Sequence, residues 1–81
     1  MPKLRVLSGD EVIQIFVGFG FTLVSQKGSH AKLKRVSAEG ESQTLIVPLH
    51  RELDRGTLRA IFNQACRYVP SEQLGPYFYT A

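Results

Sequence analysis

Apolar residues recur at helical spacing in two stretches of this chain and at strand spacing between them. In the first stretch Val12, Ile13, Phe16 and Phe19 form a stripe, which Ile15 and Val17 widen. Ser8 and Glu11 stand at capping-box separation just ahead of it, a hydroxyl for one orphan amide and a carboxylate for another. Gly18 and Gly20 follow, with Gly20 where a helix stop belongs. The expectation is a helix over residues 9–19. The second stripe comprises Leu58, Ile61, Phe62, Ala65, Cys66 and Val69, with Asp54 as its N-cap and Pro70 as its stop.

Between these helices, residues 21–26, 30–36 and 43–47 read as strands. Phe21, Leu23 and Ser25 alternate with Thr22, Val24 and Gln26. His30, Lys32 and Lys34 alternate with Ala31, Leu33 and Arg35, so the first three project from the same side of a sheet. Residues 37–42, with Gly40, read as a hairpin turn, and Pro48 ends the third strand because it cannot donate to a ladder. Residues 71–74 are expected to form one further turn, ahead of a tail with Pro76, Tyr77, Phe78 and Tyr79. Those aromatics suit docking onto the core or a partner better than stacking on bases.

Helix, strand, strand, strand, helix in that order gives a two-layer α+β fold. A three-stranded antiparallel sheet carries both helices on one face, because two apolar stripes need one sheet face to cover them. This is the layout of a double-stranded RNA-binding domain. The last helix opens with Arg55 and Arg59, whose backbone amides and charges are candidates to receive a phosphate.

With 81 residues the chain forms a single domain spanning 1–81, with a core over about 8–69 and a C-terminal extension over 70–81. A chain of that length buries only about 60% of its unfolded surface, so its stability is thin. An apolar fraction of 43% argues for a folded protein. Ten Lys and Arg against seven Asp and Glu leave a net charge of +3, which suits a polyanion without demanding one. Cys66 is the only cysteine, which excludes an internal disulfide and a cysteine metal cluster. Two histidines without partner cysteines leave neither a metal site nor any other cofactor expected. No apolar run reaches the roughly 20 residues of a membrane span, and no signal peptide opens the chain. A cytoplasmic, reducing compartment is the expectation.

The chemistry concentrates at Gln26-Lys27-Gly28-Ser29-His30. This polar break delivers His30 to the start of a strand, with Lys27 before it and Lys32 and Lys34 after it. Histidine has an unperturbed pKa of about 6.5 and so gives and takes protons near neutrality. The lysines alternate with it like a phosphate track, although lysines on a strand are by default a solvated face. Gly28 and Ser29 suit a tight turn, and Gly28 would also let a phosphate approach the backbone. For His30 the plain alternative is a strand-edge histidine bonded to a neighbouring loop. His50 is a possible helper, or equally a loop residue. Arg59 is a surface helix residue or a phosphate ligand, and Cys66 falls on the packed stripe.

Three segments together resemble the HicA toxin family of bacterial toxin–antitoxin systems: Gln26-Lys27-Gly28-Ser29-His30, the strand end Val47-Pro48-Leu49-His50, and Arg55-Gly56-Thr57-Leu58-Arg59-Ala60-Ile61. The similarity covers residues 8–67. The resemblance implies a double-stranded RNA-binding-like fold and an mRNA interferase that cleaves mRNA without a metal. It implies His30 as the catalytic residue and a HicB-type antitoxin that binds over the active site. Many relatives are shorter and carry a polar residue or a second histidine where this chain has Ala31, and the tail after Val69 extends beyond the family core. Two readings of other classes stand beside it: a non-catalytic RNA-binding module needing the lysines but not the histidine, and an interaction protein that never meets RNA.

Overall fold

A computed structural model describes residues 2–80. In chain order the elements are β1 (Lys3–Leu4), α1 (Gly9–Gly18), β2 (Thr22–Lys27), β3 (His30–Val36) and β4 (Ser42–Pro48). After them come α2 (Arg55–Ala65), α3 (Ser71–Phe78) and β5 (Tyr79–Thr80). Strands β2, β3 and β4 form an antiparallel sheet with β3 in the centre, as the alternation predicts. A second, two-stranded ribbon pairs β1 with β5.

Both predicted helices start at the expected caps. The Glu11 amide donates to Ser8 Oγ at 3.1 Å, and the Ser8 amide donates to Glu11 Oε1 at 2.9 Å, which completes the capping box. At α2 the Thr57 amide donates to Asp54 Oδ2 at 3.0 Å. Val12, Ile13 and Phe16 of α1 and Leu58, Ile61 and Ala65 of α2 are buried. They cover one face of the sheet, where Ala31, Leu33, Leu45 and Val47 are buried to meet them. That makes a two-layer α+β sandwich with helices on one face.

Four details depart from the sequence pattern. Val17 is 44% exposed, so the α1 stripe is narrower than its composition suggests. A bulge between Leu23 and Ser25 breaks the alternation of β2, leaving that strand exposed along its length. Helix α2 ends at Ala65, and a turn carries the chain on to the buried Val69. Helix α3 runs through Pro76 to Phe78, well past the single turn expected. Proline normally ends a helix by removing a donor. Here Leu74 and Phe78, one helical turn apart, are both fully buried, and their burial outweighs the missing bond. Residues 70–80 therefore add side chains to the core. Phe78 packs its ring 5.9 Å from Phe16 and 5.3 Å from Phe62.

Candidate active site

Lys27 pairs with His30, so only Gly28 and Ser29 connect β2 to β3. Gly28 has a φ of 58°, and among the described residues only glycines have a positive φ. Positive φ at the first corner and negative φ at the second is the pattern of a type II′ hairpin turn, which suits the right-handed twist of two strands and selects glycine first. The Gly-Ser-His order is thus local geometry before it is chemistry. The glycine makes the corner, the serine completes it, and the histidine opens β3.

Side chains on β3 then divide between the faces. Ala31 and Leu33 are buried, whereas His30 and Lys34 are exposed and Lys32 is half-buried. Pairing extends the open face sideways in three rows: Lys27, His30 and Pro48; Ser25, Lys32 and Ile46; Thr22, Lys34 and Thr44. Successive rows are about 6.8 Å apart along the strand. His30 therefore occupies the end row, with the Lys27 ammonium stem directly across from it and Lys32 in the next row. Ile46, 44% exposed, and Val36, 69% exposed, add apolar surface to the same face.

The end row is held from the β4 side. The Leu49 amide donates to the Ser29 carbonyl at 2.6 Å, continuing the ladder one step past Pro48. Because donors alternate sides along a strand, the nitrogen of Pro48 points away from β3, where its missing N–H costs no ladder bond. The next residue, His50, is exposed, and its carbonyl accepts from the Gly9 amide at 2.9 Å. The Leu53 amide donates to Leu7 O at 2.9 Å, so the segment leading into α2 lies against the segment leading into α1. One end of the sandwich thus gathers His30, the exposed His50 and the N-termini of both α1 and α2.

The N-terminus of α2, which its arginines mark as a candidate phosphate site, is capped by a carboxylate of its own. Asp54 already occupies it: besides the Thr57 amide, the Thr57 hydroxyl donates to Asp54 Oδ1 at 2.6 Å. The Thr57 hydroxyl, then its amide, hold the Asp54 carboxyl below its ordinary value. A carboxylate fills the place an anion would take, which leaves the side chains of Arg55 and Arg59, both exposed, as the cations of that helix. Arg59 stands on the helix layer, whereas Lys32 and Lys34 stand on the open face of the sheet. The structure groups Lys27, Gly28, Ser29, His30 and Lys32 at one end, with Lys34 one row further and Arg59 on the other layer.

Arg35 is the polar residue whose importance the strand pattern does not reveal. It points to the helix side, as alternation requires, and bonds there to Gln43 Oε1 at 2.7 Å, Phe19 O at 2.9 Å and Tyr68 O at 2.8 Å. Its guanidinium carbon also lies 4.9 Å from the centre of the Phe21 ring. Cys66 is half-buried and burial raises its thiol pKa, which fits packing. Among the described residues no three histidine, cysteine, aspartate or glutamate side chains converge on a point. No helix there is long and apolar enough to cross a membrane.

The family model for the HicA toxin of bacterial toxin–antitoxin systems matches residues 9–66, from the first residue of α1 to the cap of α2. Comparison with curated proteins and with solved structures finds no significant match. The match covers more than half of the chain and includes the His30 hairpin, the Pro48–His50 segment and α2. This chain belongs to the HicA toxin family.

Proposed function

We propose that this toxin is an endoribonuclease that cleaves mRNA at the open sheet face, with His30 as its proton-transfer group and no metal required. The observation that carries the reading is the end row of the sheet: an exposed histidine fixed by a two-residue turn, with Lys27 opposite it and Lys32 in the next row. Cleavage of an RNA strand needs the 2′-hydroxyl to lose its proton and attack the adjacent phosphorus. The bond from phosphorus to the 5′-oxygen then breaks, and that oxygen must gain a proton. Imidazole near its pKa suits either transfer. A single histidine serves one of them within a step, and His50, exposed on the segment that anchors the turn, is the candidate for the other. Lys27, Lys32 and Lys34 supply positive charge to the phosphates, with Arg59 available to a strand that passes around the end of the sandwich. Gly28 and Ser29 bring backbone close to the same phosphate. A HicB-type antitoxin neutralises the enzyme by covering this face.

The test is His30→Ala in the purified chain. Proton-transfer groups contribute about 10²–10⁴-fold in rate, so the variant should lose cleavage and toxicity while binding RNA and keeping its fold. A folded His30→Ala protein that cleaves at the wild-type rate would remove His30 from the chemistry and end this reading, whereas a wild-type chain that binds RNA without cleaving it would be a non-catalytic RNA-binding module.

A further inference from the structure

Gly9 begins α1 and is buried, and its φ is not positive, so backbone conformation alone does not call for glycine there. Close approach does. A Cβ on Gly9 would collide with the Pro48 carbonyl oxygen and stand 3.0 Å from Leu49 Cα. At Gly18, Gly28, Gly40 and Gly75 a Cβ would meet nothing within 4 Å. The two residues that Gly9 presses upon are the ones that hold the His30 hairpin. Pro48 is the partner of His30 in the ladder, and Leu49 donates to Ser29 O. The Gly9 amide completes the linkage by donating to His50 O at 2.9 Å. On its other side the hairpin is unsupported, because β2 is exposed along its length and bulged.

We infer that Gly9 is a positioning residue: by allowing α1 to seat directly on Pro48–His50, it sets where His30 stands relative to His50 and to bound RNA. The inference rests on the reading of His30 as the proton-transfer group. Adding one methyl group must push the 48–50 segment away from α1, and the Leu49–Ser29 bond carries that shift to the first residue of β3. The lysines of the second and third rows lie further along the sheet and are not touched. Rate and binding should therefore separate, since a displacement of about 1 Å in a reacting geometry can cost about 10²-fold in rate.

Gly9→Ala, His30→Ala and the control Gly18→Ala are to be compared as full chains, cleaving one RNA oligonucleotide. The expected result is a kcat at least tenfold below wild type for Gly9→Ala, with KM within about threefold and the pH profile unchanged in shape. Gly18→Ala should match wild type. A Gly9→Ala chain that cleaves at the wild-type rate overturns the inference, as does one whose loss lies wholly in KM. If His30→Ala also keeps wild-type activity, the functional reading fails with it. If only His30→Ala is inactive, the inference about Gly9 fails alone. Should Gly9→Ala not fold, amide hydrogen exchange in the wild-type chain decides. Leu49 and Gly9 must open together as one unit, and a Leu49 amide that exchanges freely while Gly9 stays protected overturns the coupling.

Discussion

The guanidinium of Arg35 reaches acceptors from three parts of the chain: Gln43 on β4, the Phe19 carbonyl at the end of α1, and the Tyr68 carbonyl after α2. A bond to a charged donor contributes about 1.5–3 kcal/mol, and an acceptor stranded inside the fold costs about 1–3 kcal/mol. Arg35→Met keeps the apolar stem and removes every donor. It should destabilise the chain by about 2–4 kcal/mol and lower its melting temperature by roughly 10–20 °C, as followed by circular dichroism. A melting temperature within a few degrees of wild type would mean that water replaces those bonds at little cost. His30 lies on the same strand but on the opposite face and makes no such ties to the interior. The loss of toxicity expected for His30→Ala should therefore come with an unchanged melting temperature, and the two substitutions separate chemistry from stability along β3.

At the scale of elements, the helix caps and the open strand face respond to pH and salt in ways that can be predicted. The Ser8 amide, then the Ser8 hydroxyl, hold the Glu11 carboxyl below its ordinary value of 4.5, and Thr57 holds Asp54 below 3.8. A depressed carboxyl stabilises the fold fully above its unfolded value, and that contribution is lost as pH falls through the folded value. Glu11→Gln keeps an acceptor but not the charge, so its stability deficit should shrink between about pH 5 and pH 3. A deficit constant across that window would remove the ionised carboxylate from the account. On the open face, Lys32→Ala with Lys34→Ala should weaken RNA binding and flatten its salt dependence by about 0.7 of a slope unit for each phosphate that a lysine no longer neutralises. Unchanged affinity and slope would place the RNA elsewhere. The caps at Ser8 and Asp54, the buried stripes and the division of His30, Lys32 and Lys34 from Ala31, Leu33 and Arg35 were all legible in the sequence, because each rests on spacing within one element. The pairing of β1 with β5 was not, because strands of two residues show no periodicity. Neither was the length of α3, where burial of Leu74 and Phe78 overrides Pro76, nor the seat of Gly9, since a glycine opening a helix carries no mark of what packs against it.

For the whole molecule, the two layers differ in what they present. The helix layer buries its apolar stripes, and its N-termini carry their own carboxylates at Glu11 and Asp54. The open layer presents Lys27, Lys32 and Lys34 together with the exposed side chains of Ile46 and Val36. A toxin of this family is held in check by an antitoxin, and the proposed site lies on that open layer. A protein inhibitor that buried those lysines against apolar groups alone would strand their charges, at a cost of several kcal/mol for each fully desolvated ion. The antitoxin is therefore expected to bring acidic side chains to Lys27, Lys32 and Lys34 and apolar ones to Ile46 and Val36. Complementary charge of that kind acts mainly on the encounter, so the association rate should fall steeply with added salt while the dissociation rate changes little. Ile46→Asp, which places an anion among those acidic groups, should chiefly speed dissociation. Co-expression with the neighbouring gene, purification of the complex, and rate measurements at low and high salt provide the check. A complex that forms at a salt-independent rate, or that forms and still cleaves RNA at the rate of the free toxin, would show that inhibition does not act through this face.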